Sequence, residues 1–337
     1  MREISIQKNE AGQRMDKFLA KYLNKAPKSF FYKMMRKKNI TLNGKKAVGN
    51  EQLKQGDVIK LFLAEETIEN FIDHSQFSKK KASSARKQTA GKKVQLDILY
   101  EDEAAVFINK PVGMLSQKAS PTDTSLVEYF IDYLLENGKI TEEELHTFHP
   151  SVCNRLDRNT SGIVAAGKTL QALQGLSEMF RDRTLKKYYL CLVKGQVKEN
   201  QRIHGYLVKN EKTNKVTVSQ KKPAEQTKDG KEASAIDTEY KVLARNRETT
   251  LLEVHLITGK THQIRAHLRA IGHPIIGDPK YGRKDANAYY RTHGDVKSQL
   301  LHAWELHFPE KLDGPLRNLA GQTITAEPPK DFRPFLQ

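Results

Sequence analysis

Between Phe77 and Lys93 the chain carries seven cations, Lys79, Lys80, Lys81, Arg86, Lys87, Lys92 and Lys93, in a background rich in Ser and Ala, and no acid. Such a stretch has too little apolar surface to offset the entropy of ordering it, so it reads as a flexible linker. It splits the 337 residues into two units that must each bury a core of their own. The expected division is a module of residues 1–76, a basic linker of residues 77–95 and a larger domain of residues 96–337.

The first unit reads as a small α+β module. Met15, Phe18, Leu19, Tyr22 and Leu23 recur at helical spacing. Pro27 separates them from a second helix around Ser29 to Arg36. Asn43-Gly44 between Ile40-Thr41-Leu42 and Lys45-Lys46-Ala47-Val48 is a hairpin signal, because both turn residues tolerate positive φ. Gly56-Asp57 precedes a further strand, Val58 to Phe62. Lys33, Arg36, Lys37 and Lys38 lead from the second helix to the hairpin. They can track a phosphate backbone, or form a solvated face.

The larger unit alternates strands with a few helices. Ala105 to Ile108, Gly162 to Ala166, Tyr188 to Val193, Val216 to Val218, Tyr240 to Leu243 and Thr250 to Leu256 read as strands. Helices are expected at Leu126 to Leu134, Leu170 to Phe180 and around Ile264 to Ile271, with a capping box at Thr141 and Glu144. Lys221 to Glu232 reads as an exposed loop. Many strands with interspersed helices predict an α+β domain on a mixed, mostly antiparallel sheet.

Lys and Arg total 57 against 40 Asp and Glu, a net charge of +17. That excess points to a polyanionic partner, RNA or DNA. Two cysteines, Cys153 and Cys191, are too few for a zinc-finger pattern. No apolar run approaches the roughly 20 residues of a membrane span, and Met1-Arg2-Glu3-Ile4 lacks a signal-peptide core, so a cytoplasmic protein is expected. Phosphate loops and dinucleotide fingerprints are absent, which weakens ATPase and NAD readings.

The chemistry concentrates in Asn154-Arg155-Leu156-Asp157-Arg158-Asn159-Thr160-Ser161-Gly162. Cations on either side of Asp157 favour its ionised form, which suits a nucleophile, a base or an electrostatic anchor. A single acid argues against hydrolysis by paired carboxylates. Arg265 borders the buried face of its helix and needs an acidic partner. Asp157 is one candidate, and spacing does not decide the pairing. His262, His267 and His273 lack the spacing of a helical metal site and read as satisfied core or surface histidines. Tyr188 and Tyr189 follow Lys186 and Lys187 and point to opposite faces of a strand. One of the rings can stack on a base, or both can be core.

These blocks resemble the Rlu-type (RluA family) pseudouridine synthases. Asn154 to Gly162 is similar to the family's His-Arg-Leu-Asp-x-x-Thr-Ser-Gly motif, with Asn154 standing where the family usually has His. Lys110-Pro111-x-Gly113, Lys187-Tyr188-Tyr189-Leu190 with Gly195, Leu256 to Gly282 and Leu301-His302-Ala303 resemble its other blocks in order. Gln13-Arg14-Met15-Asp16, Ile40 to Gly44, Leu53 and Gly56-Asp57-x-Ile59 resemble an S-four type RNA-binding domain.

The resemblance implies isomerisation of uridine in RNA with no cofactor and no metal. It makes Asp157 the catalytic aspartate, acting on the ribose or removing a proton to give a glycal. It makes Tyr189 the ring on the target base and a helper in removing the final proton from carbon 5. Arg265 becomes the ion-pair partner of Asp157, and Arg155 a group that places the flipped nucleotide. Lys33, Arg36, Lys37, Lys38 and Lys187 are the expected RNA contacts. The first domain favours large-subunit (23S) ribosomal RNA, or pre-ribosomal particles, as the partner of a monomeric enzyme. Transfer RNA, or a non-catalytic role in ribosome assembly, is the alternative.

Overall fold

The structure is a computed structural model that describes residues 1–73, 94–142, 144–210, 213, 215–223 and 233–335, with side chains to residue 332. The expected linker, apart from residues 94 and 95, lies outside the described residues, as do residues 224–232 of the expected loop.

The N-terminal unit contains β1 (Arg2–Ser5), α1 (Met15–Tyr22), α2 (Lys28–Arg36), β2 (Ile40–Leu42), β3 (Lys45–Lys46), β4 (Val58–Leu61) and α3 (Glu65–Asn70). Its sheet runs β1-β4-β2-β3, antiparallel throughout. Met15, Phe18 and Leu19 of α1, Phe31 and Met35 of α2, and Ile40, Ile59 and Leu61 of the sheet close one core. The hairpin turns as its sequence requires, with φ of 49° at Asn43 and 74° at Gly44. Glu10 accepts a 2.6 Å hydrogen bond from Thr147, and Asn9 donates one of 3.0 Å to Glu144, so this unit touches the larger one.

The larger unit contains β5 (Ile98–Glu101), β6 (Ala105–Lys110), α4 (Leu126–Glu136), β7 (Ser151–Val152), β8 (Ser161–Gly167), α5 (Leu170–Asp182), β9 (Lys186–Lys194), β10 (Gln201–Asn210), β11 (Lys215–Ser219), β12 (Ser234–Arg245), β13 (Thr249–Leu256), α6 (Gln263–Ala270), α7 (Lys284–Gly294), β14 (Leu301–His307) and β15 (Thr323–Thr325). Its sheet runs β11-β10-β12-β13-β9-β14-β8-β6-β5, with β15 on β14 and β7 on β8. Among the described residues β14 and β8 pair in parallel, and the other paired strands of this sheet are antiparallel. The expected mixed, mostly antiparallel sheet is therefore present. The Thr141–Glu144 box forms too: the Thr141 backbone N–H reaches the Glu144 carboxylate at 2.9 Å and a short 3-10 turn, Glu144–His146, follows.

The period of two decides what each face of the sheet packs against. Val164 and Ala166 join the cluster of Leu126, Phe130 and Leu134 on α4. Ile163 and Ala165 join Ala172 and Leu176 of α5 on the other side. In β9, Leu190 and Leu192 pack towards Ala286 and Tyr290 of α7, whereas Tyr189, Cys191 and Val193 share a cluster with Ile264 and Leu268 of α6. Tyr189 and the helix that bears Arg265 thus lie on one face of the sheet. Both cysteines are free.

Two features hold β14 against β8. Gly162 has φ 107°, and a Cβ there would sit 2.1 Å from the Ala303 carbonyl oxygen. His302 is fully buried, with Nε2 2.9 Å from the Ala326 oxygen and Nδ1 2.9 Å from the Ser161 hydroxyl. The carbonyl requires Nε2–H to donate, so the serine donates to Nδ1.

Two outcomes follow for stability. Gly162→Ala, facing both strain and a backbone clash, should cost about 3 kcal/mol or more in urea unfolding. Burial pushes the His302 imidazole down from 6.5 to about 4. Between those values the unfolded chain binds the extra proton, so stability is full above pH 6.5 and falls as the pH drops towards 4, by up to about 3 kcal/mol. Urea midpoints at pH 7.5 and 5 should therefore differ less for His302→Gln than for the unsubstituted protein.

Candidate active site

Asp157 lies in the turn between β7 and β8, and backbone contacts on both sides of it fix that turn. Leu156 is buried, and its N–H and carbonyl both bond the Ser116 hydroxyl at 3.0 Å. The Thr160 N–H returns to the Asp157 carbonyl at 3.0 Å. Arg158 and Gly113 exchange bonds, Nε to the Gly113 oxygen at 3.0 Å and the Gly113 N–H to the Arg158 oxygen at 2.9 Å. Gly113 has φ 86°, so glycine suits that turn.

Lys110, fully buried, donates to the carbonyls of Pro111 (2.9 Å), Met114 (2.9 Å) and Arg158 (3.2 Å). Burial pushes its ammonium down to about 8, against the opposing charge of Asp157. The Lys110-Pro111-x-Gly113 block is thus the mechanical support of the Asp157 turn. Asn154 ties the turn to β8, accepting the Ala165 N–H at 2.8 Å and donating to the Ile163 oxygen at 3.2 Å.

Arg265 meets the carboxylate from α6. Its Nη1 lies 2.6 Å from Asp157 Oδ2, while Nε and Nη2 take the two oxygens of Asp278 at 2.7 and 2.9 Å. Asp278 is fully buried and also accepts the backbone N–H groups of Lys280 (2.8 Å) and Tyr281 (3.0 Å). Burial works against both charges. On Asp278 the hydrogen bonds and charge of Arg265, with those backbone donors, outweigh it and lower the pKa. On Arg265 the two carboxylates outweigh it and raise the pKa. The guanidinium therefore stays charged, with one carboxylate sealed behind it and the other, 27 % exposed at its side chain, open to solvent.

Tyr189 sits on β9 opposite Val254 and Ala303, 8 % exposed. Burial first, and then the charge of Asp157, raise its pKa. Its phenol keeps its proton at neutral pH, a state that suits packing on a base and donating to it. The helper role in proton removal expected for this residue would need the deprotonated form. Tyr188 faces the other way, between the rings of His255 and His307. Lys187 shares the Tyr189 face of the strand and is 8 % exposed; burial, and then the charge of Arg183, lower its pKa. Among the described residues no recorded hydrogen bond or ion pair holds its ammonium, which lies 3.9 Å from where a Cβ on Gly259 would stand.

The structure thus brings Asp157, Arg265 and Tyr189 together. Arg155, two residues before Asp157, is exposed. Lys33, Arg36, Lys37 and Lys38 are exposed on and after α2, in the other unit, and none joins the contacts around Asp157. Arg36 and Lys46 line a shallow depression there with Tyr32 and Val48. Asp278 had no expected role, and neither did Tyr281, whose ring lies 5.1 Å below the Arg265 guanidinium. His262, read as a satisfied histidine, places Nε2 3.9 Å from Asp157 Oδ2. The signal for all three was in Gly259-Lys260-Thr261-His262-Gln263-Ile264-Arg265 and Gly277-Asp278-x-x-Tyr281-Gly282, but no spacing rule assigns partners across a turn.

Residues 104–270, which hold Asp157, Tyr189 and Arg265, match the family described as RNA pseudouridylate synthase. The ribosomal large subunit pseudouridine synthase C of Vibrio vulnificus is 32% identical over 309 residues, 90% of this chain and 87% of the relative. The chain belongs to this family. The protein of the same name from Haemophilus influenzae is 30% identical over 92% of this chain and 88% of its own length. Two solved human structures share the fold. RNA pseudouridylate synthase domain containing 1 has a TM-score of 0.53 at 21% identity, covering 74% of this chain and 89% of its own. RNA pseudouridylate synthase domain containing 4 has 0.53 at 24%, covering 70% and 90%. The protein is an RNA pseudouridine synthase. No helix among the described residues is long and apolar enough to cross a membrane.

Removing the sealed carboxylate tests the architecture of the synthase site. Asp278→Ala leaves a buried guanidinium short of its two-point partner and should cost about 3–5 kcal/mol in urea unfolding.

Proposed function

We propose that this pseudouridine synthase acts on large-subunit (23S) ribosomal RNA and that Asp157 is its reacting carboxylate. One observation carries the catalytic assignment: the Asp157 carboxylate is partly open to solvent while an arginine, itself locked by a buried aspartate, holds one of its oxygens at 2.6 Å. The substrate assignment draws on relatives whose names specify the ribosomal large subunit, matched over nine-tenths of this chain, and on the net charge of +17.

The reaction breaks the bond from ribose carbon 1′ to uracil N1, turns the base, and joins carbon 1′ to carbon 5. The proton leaves carbon 5 and N1 gains one, so no oxidant, reductant or group donor enters the balance. Asp157 engages the ribose as a nucleophile or by taking a proton to give a glycal. Tyr189 packs on the extruded base. Arg155 and Lys187 hold the flipped nucleotide and its phosphates, and extrusion costs roughly a few kcal/mol that such contacts offset. Lys33, Arg36, Lys37 and Lys38, on an N-terminal module of S-four type, grip RNA away from the target. The enzyme works as a cytoplasmic monomer.

The test is tritium release from carbon-5-labelled uridine in a large-subunit RNA transcript. The unsubstituted protein should turn over without added metal. Asp157→Asn should lose at least about 1,000-fold in rate, about 4 kcal/mol in barrier, with RNA affinity within about threefold. A fully active Asp157→Asn would overturn the assignment, and turnover confined to transfer RNA would overturn the substrate.

A further inference from the structure

His262 is the left-handed residue (φ 53°) that precedes α6, three positions before Arg265, so both side chains reach the Asp157 carboxylate from one turn. A third residue sets where the imidazole carries its proton. The Tyr281 oxygen accepts the Val216 N–H at 2.9 Å, so the phenol's own hydrogen must point elsewhere. Its other recorded neighbour is His262 Nδ1, also at 2.9 Å. The phenol therefore donates and Nδ1 accepts. A neutral imidazole that accepts at Nδ1 carries its hydrogen on Nε2. Burial keeps this ring below its ordinary pKa despite the opposing charge of Asp157, and Arg265 and Lys280 add to the downward push.

Nε2 faces Asp157 Oδ2 at 3.9 Å, the same oxygen that takes Arg265 Nη1 at 2.6 Å. No hydrogen bond recorded among the described residues engages Oδ1. Arg265 is the donor on that oxygen, and a second donor arriving from His262 would oppose rotation of the carboxylate and separate the roles of its atoms. The present gap is about 1 Å too long for a hydrogen bond, as is common before a substrate closes a site.

We infer that His262 is a positioning residue for the isomerisation: it presents Nε2–H to Oδ2 beside Arg265 and so leaves Oδ1 as the oxygen that engages the ribose. This rests on Asp157 being the reacting group. Tyr281 is the residue that holds the required tautomer.

The experiment has two arms on the full-length protein. Nitrogen-15 spectra of the imidazoles at pH 7.5 should show His262 as the neutral Nε2–H tautomer; the Nδ1–H tautomer or an imidazolium would overturn the inference. Single-turnover rates on the ribosomal transcript form the second arm. His262→Asn keeps a residue that tolerates a left-handed backbone, but its amide stops at the Nδ1 position. It should lose about tenfold in rate, with RNA affinity within about twofold. His262→Gln places an amide donor near Nε2 and should recover to within about threefold of the unsubstituted rate. An unchanged rate in His262→Asn, or equal losses in both variants at an unchanged melting temperature, would overturn it. Failure of the unsubstituted protein to turn over would count against the proposed function instead, so the two failures are distinguishable.

Discussion

One guanidinium shared by two aspartates organises this protein. Arg265 uses two of its donors on the sealed carboxylate of Asp278 and a third on Asp157, which is partly open to solvent. A buried charge is costly unless it is paired and its donors are satisfied, and Asp278 meets that cost before any substrate arrives. Asp157, partly open to solvent, then does not have to neutralise Arg265 by itself. An arginine is needed because its planar fork serves two acids at once, whereas a lysine offers a point charge.

The remainder of the large domain keeps that geometry rigid. The turn bearing Asp157 is stitched to residues 110–116 by Lys110, Gly113 and Ser116, and to β8 by Asn154. Strand β8 is buried on both faces, and Gly162 lets β14 close against it. Strand β9 brings Tyr189 to the face on which α6 packs. Tyr189 and Arg265, on a packed strand and a helix, are placed more firmly than loop residues would be, and the backbone bonds around Asp157 give its turn comparable support. Asn154 supports the turn through two backbone bonds, one accepted and one donated by its amide.

Much of this was legible in the sequence. The helices at Met15–Tyr22, Leu126–Glu136 and Leu170–Asp182 follow the apolar period, and Asn43-Gly44 turns as its residue types demand. Strand β14 escaped because His302 and Trp304 interrupt its apolar alternation, and His302 is buried only because Ser161 and Ala326 supply its partners. Ile271, the last residue of the helix expected around Ile264 to Ile271, is the C-cap of α6 and packs, half-buried, against the cluster that holds Ile264 and Leu268. The pairing of Asp157 with Arg265 spans 108 residues, and no local period encodes it. His262 looked inert for the same reason: its partner Tyr281 lies 19 residues on, beyond any helical spacing.

The most direct measurement of the shared guanidinium is the single-turnover rate of Arg265→Lys on uridine-containing ribosomal RNA, beside its RNA affinity. Lysine keeps the charge but cannot hold Asp278 at two points while reaching Asp157. The rate should fall by about 100-fold or more, about 3 kcal/mol, with binding unchanged. A folded Arg265→Lys protein that isomerises uridine at the unsubstituted rate would contradict the account.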